Sequence, residues 1–316
     1  MKTEIHRLGI IGTGRIARRF VPEARTVEGV DVTAVYNPRI SSAQKFAEEL
    51  NVDFYTDDIN VFLEKVDGVY IAAPHETHVD YSRKMMEAGK HVLCEKPMGF
   101  KTKDIEELYC LSKEKNVVLM EGIKTAYCPG FQALLDIVNS KKIGTVIDVE
   151  ACFTKLVPEN SRELSSEVYA GSLYELGSYV LLPILKILGE DYQSVAFWKK
   201  YDVQEVDVYT KIYFDYGHAT ATGKVGLGVK SEGELIISGT KGYIRVLAPW
   251  WLTKHIEVHY EDPNATEFYE YPFEKDGLRY EVKAFLDKIN ERKKGETLTL
   301  KESAWLAGIL ERNYHE

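Results

Sequence analysis

Cysteine is scarce in this chain, with four among 316 residues. They are Cys94, Cys110, Cys128 and Cys152, and no two of them have the CxxC spacing of redox or zinc sites. A chain of this length buries a sufficient core without covalent staples. We therefore predict free thiols, which are typical of the reducing cytoplasm, and assign the protein to that compartment.

Long apolar runs and an excess of basic residues are also missing. The longest apolar run, from Tyr179 to Leu185, is far too short to span a bilayer and is followed by Lys186. The 49 acidic residues outnumber the 40 basic ones, and the formal net charge of −9 repels a phosphate backbone. These deficits predict that neither a membrane nor a nucleic acid is a partner.

The composition that remains is that of an ordinary globular protein, with 45% hydrophobic and 28% charged residues. Up to about Gly122, short β-branched runs alternate with segments of helical periodicity, which predicts a parallel sheet covered by helices. From about residue 143, alternating strands around Gly and Asp turns predict a mostly antiparallel sheet, interrupted by one long helix from Ser172 to Leu188. We therefore predict an α/β domain over residues 1–122 and an α+β domain over residues 123–316.

A glycine-rich turn follows the first apolar run. The string GTGRIA at positions 12–17 has the GxGxxA spacing, placed between a predicted strand and a predicted helix. Gly12 permits the tight turn, Gly14 lets a pyrophosphate approach the backbone amides, and Ala17 lets helix and strand pack closely. The context predicts a dinucleotide site, and its predicted cofactor contacts are Gly12, Thr13, Gly14, Arg15 and Ile16.

The end of the second predicted strand lacks the carboxylate that commonly binds the ribose hydroxyls of NAD. The chain has Asn37 there, followed by Arg39 and two serines. Asn37 can still bond a ribose hydroxyl, while Arg39 could hold a 2′-phosphate. This pattern favours NADP over NAD, with Arg39 as a solvated loop charge or dual cofactor use as the alternatives.

Further motifs follow in order along the chain. They are AxPxxxH at Ala72 to His78, the EKP tripeptide at Glu95 to Pro97, EGxxxxYxPxF at Glu121 to Phe131, and GSLYELGSY at Gly171 to Tyr179. In this order and spacing, the chain resembles the glucose-fructose oxidoreductase/inositol dehydrogenase (Gfo/Idh/MocA) family over essentially its whole length. The resemblance implies a Rossmann domain followed by an α+β domain with an open-faced sheet. Relatives associate through that face, so a homodimer or homotetramer is expected.

The resemblance also assigns a role to the EKP lysine, Lys96, which lies beside the nicotinamide and orients the substrate hydroxyl in relatives. Oxidising a carbinol requires a base and a cationic group that stabilises the developing alkoxide, and a lysine at a strand end suits the second task. The peptide between Lys96 and Pro97 is expected to be cis, as in relatives. The residues expected to line the cofactor pocket beside it are Ala73, Pro74, His78 and Glu95.

The second domain's motif departs from the common GGxLxDxGxH pattern. Glu175 stands at its aspartate position and Tyr179 at its histidine position, which resembles the subgroup containing dimeric dihydrodiol dehydrogenase. The spacing of four places both on one helix face. We predict Tyr179 as proton donor or acceptor, helped by Lys96 and an oxidised nicotinamide, and Glu175 as a neighbour that contacts substrate or Lys96. Core packing of Tyr179 and an ordinary ion pair for Glu175 are the structural alternatives.

Relatives with the tyrosine often carry tryptophan and arginine in the segment after the last Rossmann strand, where this chain has Lys124 and Ala126. Lys124 is predicted to bind substrate, with an interdomain lysine as the alternative. No ligand set for a metal is spaced around His75 and His78, so no metal is predicted.

The leading function is hydride transfer between NAD(P) and a carbinol or carbonyl carbon of a sugar, polyol or related diol. Redox-assisted glycoside cleavage with bound NAD and a non-catalytic cofactor-sensing regulator are the alternatives.

Overall fold

Two compact units make up the fold. A computed structural model describes residues 7–158, 161–165, 169–290 and 297–315. Unit 1 contains the chain up to Lys124 together with Lys275–Ala307, and unit 2 contains Thr125–Glu274 together with the chain from Gly308 onward. The predicted boundary at residue 122 lies close to the first crossing, whereas the return of residues 275–307 to unit 1 is not in the prediction. Amphipathic periodicity shows that a helix packs on something, but not on which sheet.

Unit 1 is built on a parallel sheet. Its six strands, counted over the described residues, are β1 (Arg7–Ile11), β2 (Asp31–Tyr36), β3 (Phe54–Thr56), β4 (Gly68–Ile71), β5 (His91–Glu95) and β6 (Leu119–Gly122). They lie in the order β3-β2-β1-β4-β5-β6. The order reverses between β1 and β4, and ligands of such sheets bind at the carboxyl ends of the strands beside this reversal.

Helices alternate with these strands, as the periodicity predicts. They are α1 (Arg15–Ala24), α2 (Ile40–Leu50), α3 (Ile59–Leu63), α4 (His78–Glu87) and α5 (Thr102–Glu114). On one side of the sheet the Phe20 ring stacks on Tyr70, with ring centroids 3.5 Å apart. On the other side Phe62, Met85 and Leu108 are fully buried, each contributing about 2 kcal/mol of hydrophobic stabilisation.

Unit 2 combines three helices with a second sheet. The helices are α6 (Lys124–Tyr127), α7 (Pro129–Asn139) and α8 (Ser172–Leu188). The eight strands found in the described part of unit 2 are β7 (Val146–Thr154), β8 (Ser194–Tyr201), β9 (Asp207–Asp215), β10 (Thr220–Gly226), β11 (Leu235–Gly239), β12 (Tyr243–Val246), β13 (His255–His259) and β14 (Glu267–Glu270). The bounds of α8 are those that the sequence predicts.

The strands of unit 2 lie in the order β14-β13-β12-β11-β7-β10-β9-β8. Neighbouring strands are antiparallel except β7 and β10, which run parallel. Helix α8 packs on β7, β9 and β10. Aromatic side chains such as Trp198, Tyr213 and Phe268 stay exposed. The predicted Rossmann domain and mostly antiparallel second sheet are confirmed.

Two helices near the end of the chain complete unit 1: α9 (Leu278–Ile289) and the first half of α10 (Leu300–His315). Helix α9 packs on α1. Leu300, Ala304 and Ala307 of α10 join the apolar core beneath β4, β5 and β6. None of the helices within the described ranges has the length and apolar composition needed to cross a bilayer.

Candidate active site

The turn after β1 contains two glycines, Gly12 and Gly14, that are under different steric constraints. Gly12 has φ +99°, and a side chain there would bring its first carbon to 2.5 Å from the Ala72 carbonyl oxygen. Gly14 precedes α1 in an extended conformation, and a carbon added there meets no protein atom within 4 Å. The fold itself therefore requires Gly12 but not Gly14. The space beside Gly14 and the amides that begin α1 fit a pyrophosphate, as the GxGxxA spacing predicts.

This difference predicts opposite phenotypes for two matched alanine variants. Gly12→Ala should lower the free energy of unfolding by about 2 kcal/mol or more, because it adds backbone strain and a clash with a carbonyl. Gly14→Ala should change it by less than about 0.5 kcal/mol but weaken cofactor binding about tenfold or more, since the methyl group enters the space of the pyrophosphate. Thermal unfolding without cofactor and fluorescence titration with NADPH measure the two effects. Equal cofactor affinity in Gly14→Ala and the unchanged protein would contradict the assignment.

The loop after β2 is tied to the glycine turn by hydrogen bonds. The Asn37 side-chain amide donates to Thr13 Oγ1 over 2.9 Å, and the Arg39 backbone amide donates to Asn37 Oδ1, also over 2.9 Å. The amide nitrogen of Asn37 thus ties this loop to the glycine turn, while its amide oxygen closes a turn at Arg39 within the loop itself. Arg39 is exposed, and its guanidinium has no hydrogen bond or ion pair with any described residue. It is therefore available to an anion at this loop.

The EKP tripeptide lies at the end of β5. Glu95 is buried; it accepts a short hydrogen bond from the Tyr70 hydroxyl, and its other oxygen accepts one from the Lys96 backbone amide over 3.2 Å. Burial raises the pKa of Glu95, while Lys96 is the largest of the influences that oppose this. The peptide between Lys96 and Pro97 is cis, as the resemblance implies. Lys96 itself is half-buried at the carboxyl end of the sheet, where a ligand of unit 1 is expected.

His78 connects two segments that carry predicted cofactor contacts. It is fully buried, with Nδ1 at 2.8 Å from the Pro97 carbonyl oxygen and Nε2 at 3.0 Å from the Ala73 carbonyl oxygen. Burial lowers the pKa of His78 despite these two acceptors. The side chain therefore braces the backbone around Ala73 and Pro97 from inside the unit.

In unit 2, the start of α8 is set by a buried carboxylate on β9. Asp207 Oδ2 accepts from the Leu173 amide over 3.0 Å and from Thr210 Oγ1 over 2.7 Å, so it caps the helix. A side chain at Gly171, where φ is +108°, would come within 1.9 Å of Asp207 Oδ1. Burial raises the pKa of Asp207 to about 6. The glycine of the GSLYELGSY motif is therefore required by the helix cap.

Tyr179 lies on α8 beside two further aromatic side chains. Its ring meets Phe153 edge to face at a centroid distance of 5.1 Å, and Phe153 stacks on Trp251 at 3.6 Å with an interplanar angle of 4°. Tyr179 and Trp251 keep part of their surface exposed. Phe153 and Trp251 are not among the predicted site residues, because 98 residues separate them. The feature of the sequence that could have pointed to Trp251 is the tryptophan pair at positions 250 and 251, since the chain has four tryptophans.

Glu175 lies one turn before Tyr179 and, like it, is partly exposed, while the neighbouring positions of α8 are mostly buried. This placement agrees with the predicted common face of the two side chains. Arg162 Nη2 donates to Glu175 Oε1 over 3.2 Å. The ion pair considered as an alternative is therefore present, and a contact of Glu175 with substrate or Lys96 stays a prediction.

Lys124 at the start of α6 is turned toward residues of its own unit. Its ammonium donates to the Asp276 carbonyl oxygen over 2.7 Å and lowers the pKa values of Glu95 and Glu281 against the effect of burial. This bond lies within unit 1 and does not test either role weighed for Lys124, so binding of substrate by Lys124 stays a prediction. Among the described side chains, no group of three or more His, Cys, Asp and Glu is placed to hold a metal ion.

The parallel unit with its open glycine turn defines a dinucleotide-binding oxidoreductase. Residues 6–123 match the profile of the oxidoreductase family with an NAD-binding Rossmann fold, and residues 131–245 match the GFO/IDH/MocA C-terminal domain. The chain belongs to the Gfo/Idh/MocA family and is an NAD(P)-binding oxidoreductase. The family inferred from the motifs is confirmed.

Similar proteins cover nearly the whole chain. A scyllo-inositol 2-dehydrogenase (NADP(+)) of Bacillus subtilis is 30% identical over 96% of this chain and 95% of its own length. The trans-1,2-dihydrobenzene-1,2-diol dehydrogenase of Sus scrofa is 27% identical over the same shares. The structure of KijD10, a 3-ketoreductase from Actinomadura kijaniata in complex with NADP and TDP-benzene, superimposes with a TM-score of 0.84 at 22% identity, covering 96% of this chain and 95% of that one. This last similarity shows a shared fold.

Proposed function

We propose that the protein transfers a hydride reversibly between NADP, or less favourably NAD, and a carbinol or carbonyl carbon of a sugar, polyol or related diol. The observation that carries this substrate class is the aromatic cluster in which the Tyr179 ring meets Phe153 edge to face and Phe153 stacks on Trp251. Such a surface suits a ligand that has an apolar ring face as well as hydroxyl groups. The two dehydrogenases described above act on ring compounds with neighbouring hydroxyls, as their names state, which supports the same class.

The side chains have separate tasks in this reaction. Bound NAD(P) supplies the acceptor for the hydride that leaves the carbinol carbon. Lys96 orients the carbinol oxygen and stabilises the negative charge that grows on it. During oxidation Tyr179, as a phenolate stabilised by Lys96 and the oxidised nicotinamide, takes the proton of that oxygen, and during reduction the phenol returns it. Glu175 assists as a neighbour of Tyr179, and Lys124 remains a candidate contact for substrate hydroxyls.

The cofactor is assigned to the carboxyl end of the sheet in unit 1. The Gly14 turn would hold its pyrophosphate, and Asn37 and Arg39 would face the adenosine ribose. Ala73, Pro74 and Glu95 belong to the loops that follow β4 and β5, where the nicotinamide half is expected. His78 acts on this region through the backbone that it braces.

The function is tested with purified protein against cyclic and acyclic polyols, sugars and cyclic diols, by following the absorbance of reduced cofactor. We expect turnover with NADP, and a larger kcat/KM for cyclic vicinal diols than for acyclic polyols of equal carbon number. Glycoside cleavage without net cofactor reduction would favour the glycosidase alternative. Tight NAD(P) binding without turnover on the whole panel would favour the regulator.

The cofactor preference depends on Arg39 in this proposal. Arg39→Ala should raise the KM for NADPH about tenfold or more, since a charge-assisted bond to the 2′-phosphate is lost, and should change the KM for NADH by less than about threefold. Lys45→Ala, which removes an exposed cation from helix α2 directly after this loop, is the matched control. Equal effects of Arg39→Ala on both cofactors would contradict the phosphate contact.

The cytoplasmic location and the homodimeric or homotetrameric state stay predictions. Sedimentation of the purified protein measures the second of these directly.

A further inference from the structure

Unit 1 buries an acidic side chain that none of the roles above uses. Glu281 on α9 has no exposed surface, and neither of its carboxyl oxygens has a hydrogen-bond partner among the described residues. A buried carboxylate without hydrogen bonds costs several kcal/mol relative to water, and such a group takes up a proton instead. Burial, reinforced by the nearby Glu95, raises the pKa of Glu281 well above its usual range.

The position of Glu281 links it to the EKP segment. A carbon added to Gly122, at the end of β6, would stand 3.4 Å from Glu281 Oε2 and 3.6 Å from Glu95 Cα. The carboxyl of Glu281 therefore lies against the carboxyl ends of β5 and β6, one residue before Lys96. The charged groups that face it from other elements are Glu95 on β5, Lys124 on α6 and Glu23 on α1.

Glu95 and Glu281 differ in the donors that surround them. Glu95 accepts from the Tyr70 hydroxyl and from the Lys96 amide, and both donors stabilise its charged form. Within the described part of the chain, no such donor reaches Glu281. Two neighbouring buried carboxyls cannot both ionise without strong repulsion, so the carboxyl that lacks donors is the one that keeps its proton. That residue is Glu281.

We propose that Glu281 is a positioning residue: as a neutral carboxylic acid it leaves the negative charge on Glu95, which anchors the peptide of Lys96. Its ionisation would place a second negative charge beside Glu95. The repulsion between the two carboxylates would then displace the Lys96 segment that Glu95 anchors. This role depends on the proposed function only through Lys96. The protonation of Glu281 itself requires no cofactor or substrate.

The first test uses cofactor-free protein and the isosteric variant Glu281→Gln, which imitates the protonated acid. The folded protein retains a proton that the unfolded chain loses above the ordinary glutamate pKa of about 4.3, so stability falls as pH rises toward the folded pKa. The unfolding constant of the unchanged protein, relative to that of Glu281→Gln, should therefore grow about tenfold per pH unit in this window. Asp287→Asn, on the same helix but partly exposed, should show no such growth. A ratio that is independent of pH for Glu281→Gln overturns the inference.

Infrared spectroscopy in D2O provides a second measurement, whose overturning outcome is read from the unchanged protein alone. The carbonyl stretch of a protonated carboxyl should be present in the unchanged protein at neutral pH and weaker in Glu281→Gln. Absence of this band from the unchanged protein overturns the inference. Because neither measurement uses substrate, both can succeed even if the polyol panel fails.

The positioning role itself is tested by kinetics once a substrate is found. Glu281→Gln should keep kcat within about threefold at neutral pH, since it preserves shape and neutrality, and should move the alkaline limb of the kcat profile to higher pH. A merely structural residue would leave that limb in place. A loss of turnover as large as that of Lys96→Met, or an unchanged alkaline limb, contradicts the role.

Discussion

Replacing Lys96 by methionine is expected to lower kcat about 10³-fold while leaving the dissociation constant of NADPH within about threefold, because the ammonium acts on the charge that develops at the substrate oxygen. Methionine keeps the unbranched apolar stem, so the packing at the end of β5 is preserved. The anchor of the segment, from the Lys96 backbone amide to Glu95, does not involve the side chain that is replaced. Stopped-flow measurement of cofactor reduction, together with fluorescence titration, separates the two quantities.

Lys101→Met is the matched control for this variant, since Lys101 is an exposed lysine in the same loop region before α5. It should reproduce the kinetics of the unchanged protein. If Lys96→Met retains more than about a tenth of kcat, transition-state stabilisation by Lys96 is excluded. A weakened cofactor affinity with unchanged kcat would instead assign Lys96 to cofactor binding alone.

Tyr179→Phe is expected to lower kcat by about 10² to 10³-fold, since it removes the group that exchanges a proton with the substrate oxygen. The edge-to-face contact with Phe153 needs only the ring, so the free energy of unfolding should change by less than about 1 kcal/mol. The loss should be largest in kcat and small in KM. Steady-state kinetics and thermal unfolding measure both.

Tyr213→Phe removes a hydroxyl from an exposed position on β9 and serves as the control, with no expected loss of activity. A Tyr179→Phe enzyme of normal kcat would leave Tyr179 as an aromatic packing residue. The proton would then have to be exchanged by another group, for which Glu175 on the same helix face is the next candidate.

Much of the fold follows from local sequence patterns. The strand before the glycine turn and the long helix α8 have strong periodicity and identifiable ends, and α8 has the predicted bounds. The short elements β3 and α3 are missing from the prediction, since three to five residues carry too little periodicity to be recognised. The return of α9 and α10 to unit 1 is missing for another reason, because it depends on contacts between residues that are distant in sequence.

In the candidate site, the sequence predicts residue types at motif positions but does not predict which side chains those residues contact. Motif resemblance points to Glu95, Lys96 and Tyr179, and their roles stay predictions. The stacking of Trp251 on Phe153 and the enclosure of Glu281 arise from long-range packing, which no local spacing records. Arg162, the ion-pair partner of Glu175, begins a short 3-10 helix 13 residues earlier, and helical periodicity does not record that pair either.

The return of residues 275–307 to unit 1 has a consequence for dissecting the gene. In the order of codons, the second sheet is an insertion within the cofactor-binding half, and the last helix continues from one half into the other. An expression fragment that stops at Lys124 would lack α9 over α1 and the α10 side chains that seal the sheet, leaving apolar surface bare. Separate production of the cofactor-binding half therefore calls for a linker that replaces residues 125–274, rather than for a stop codon.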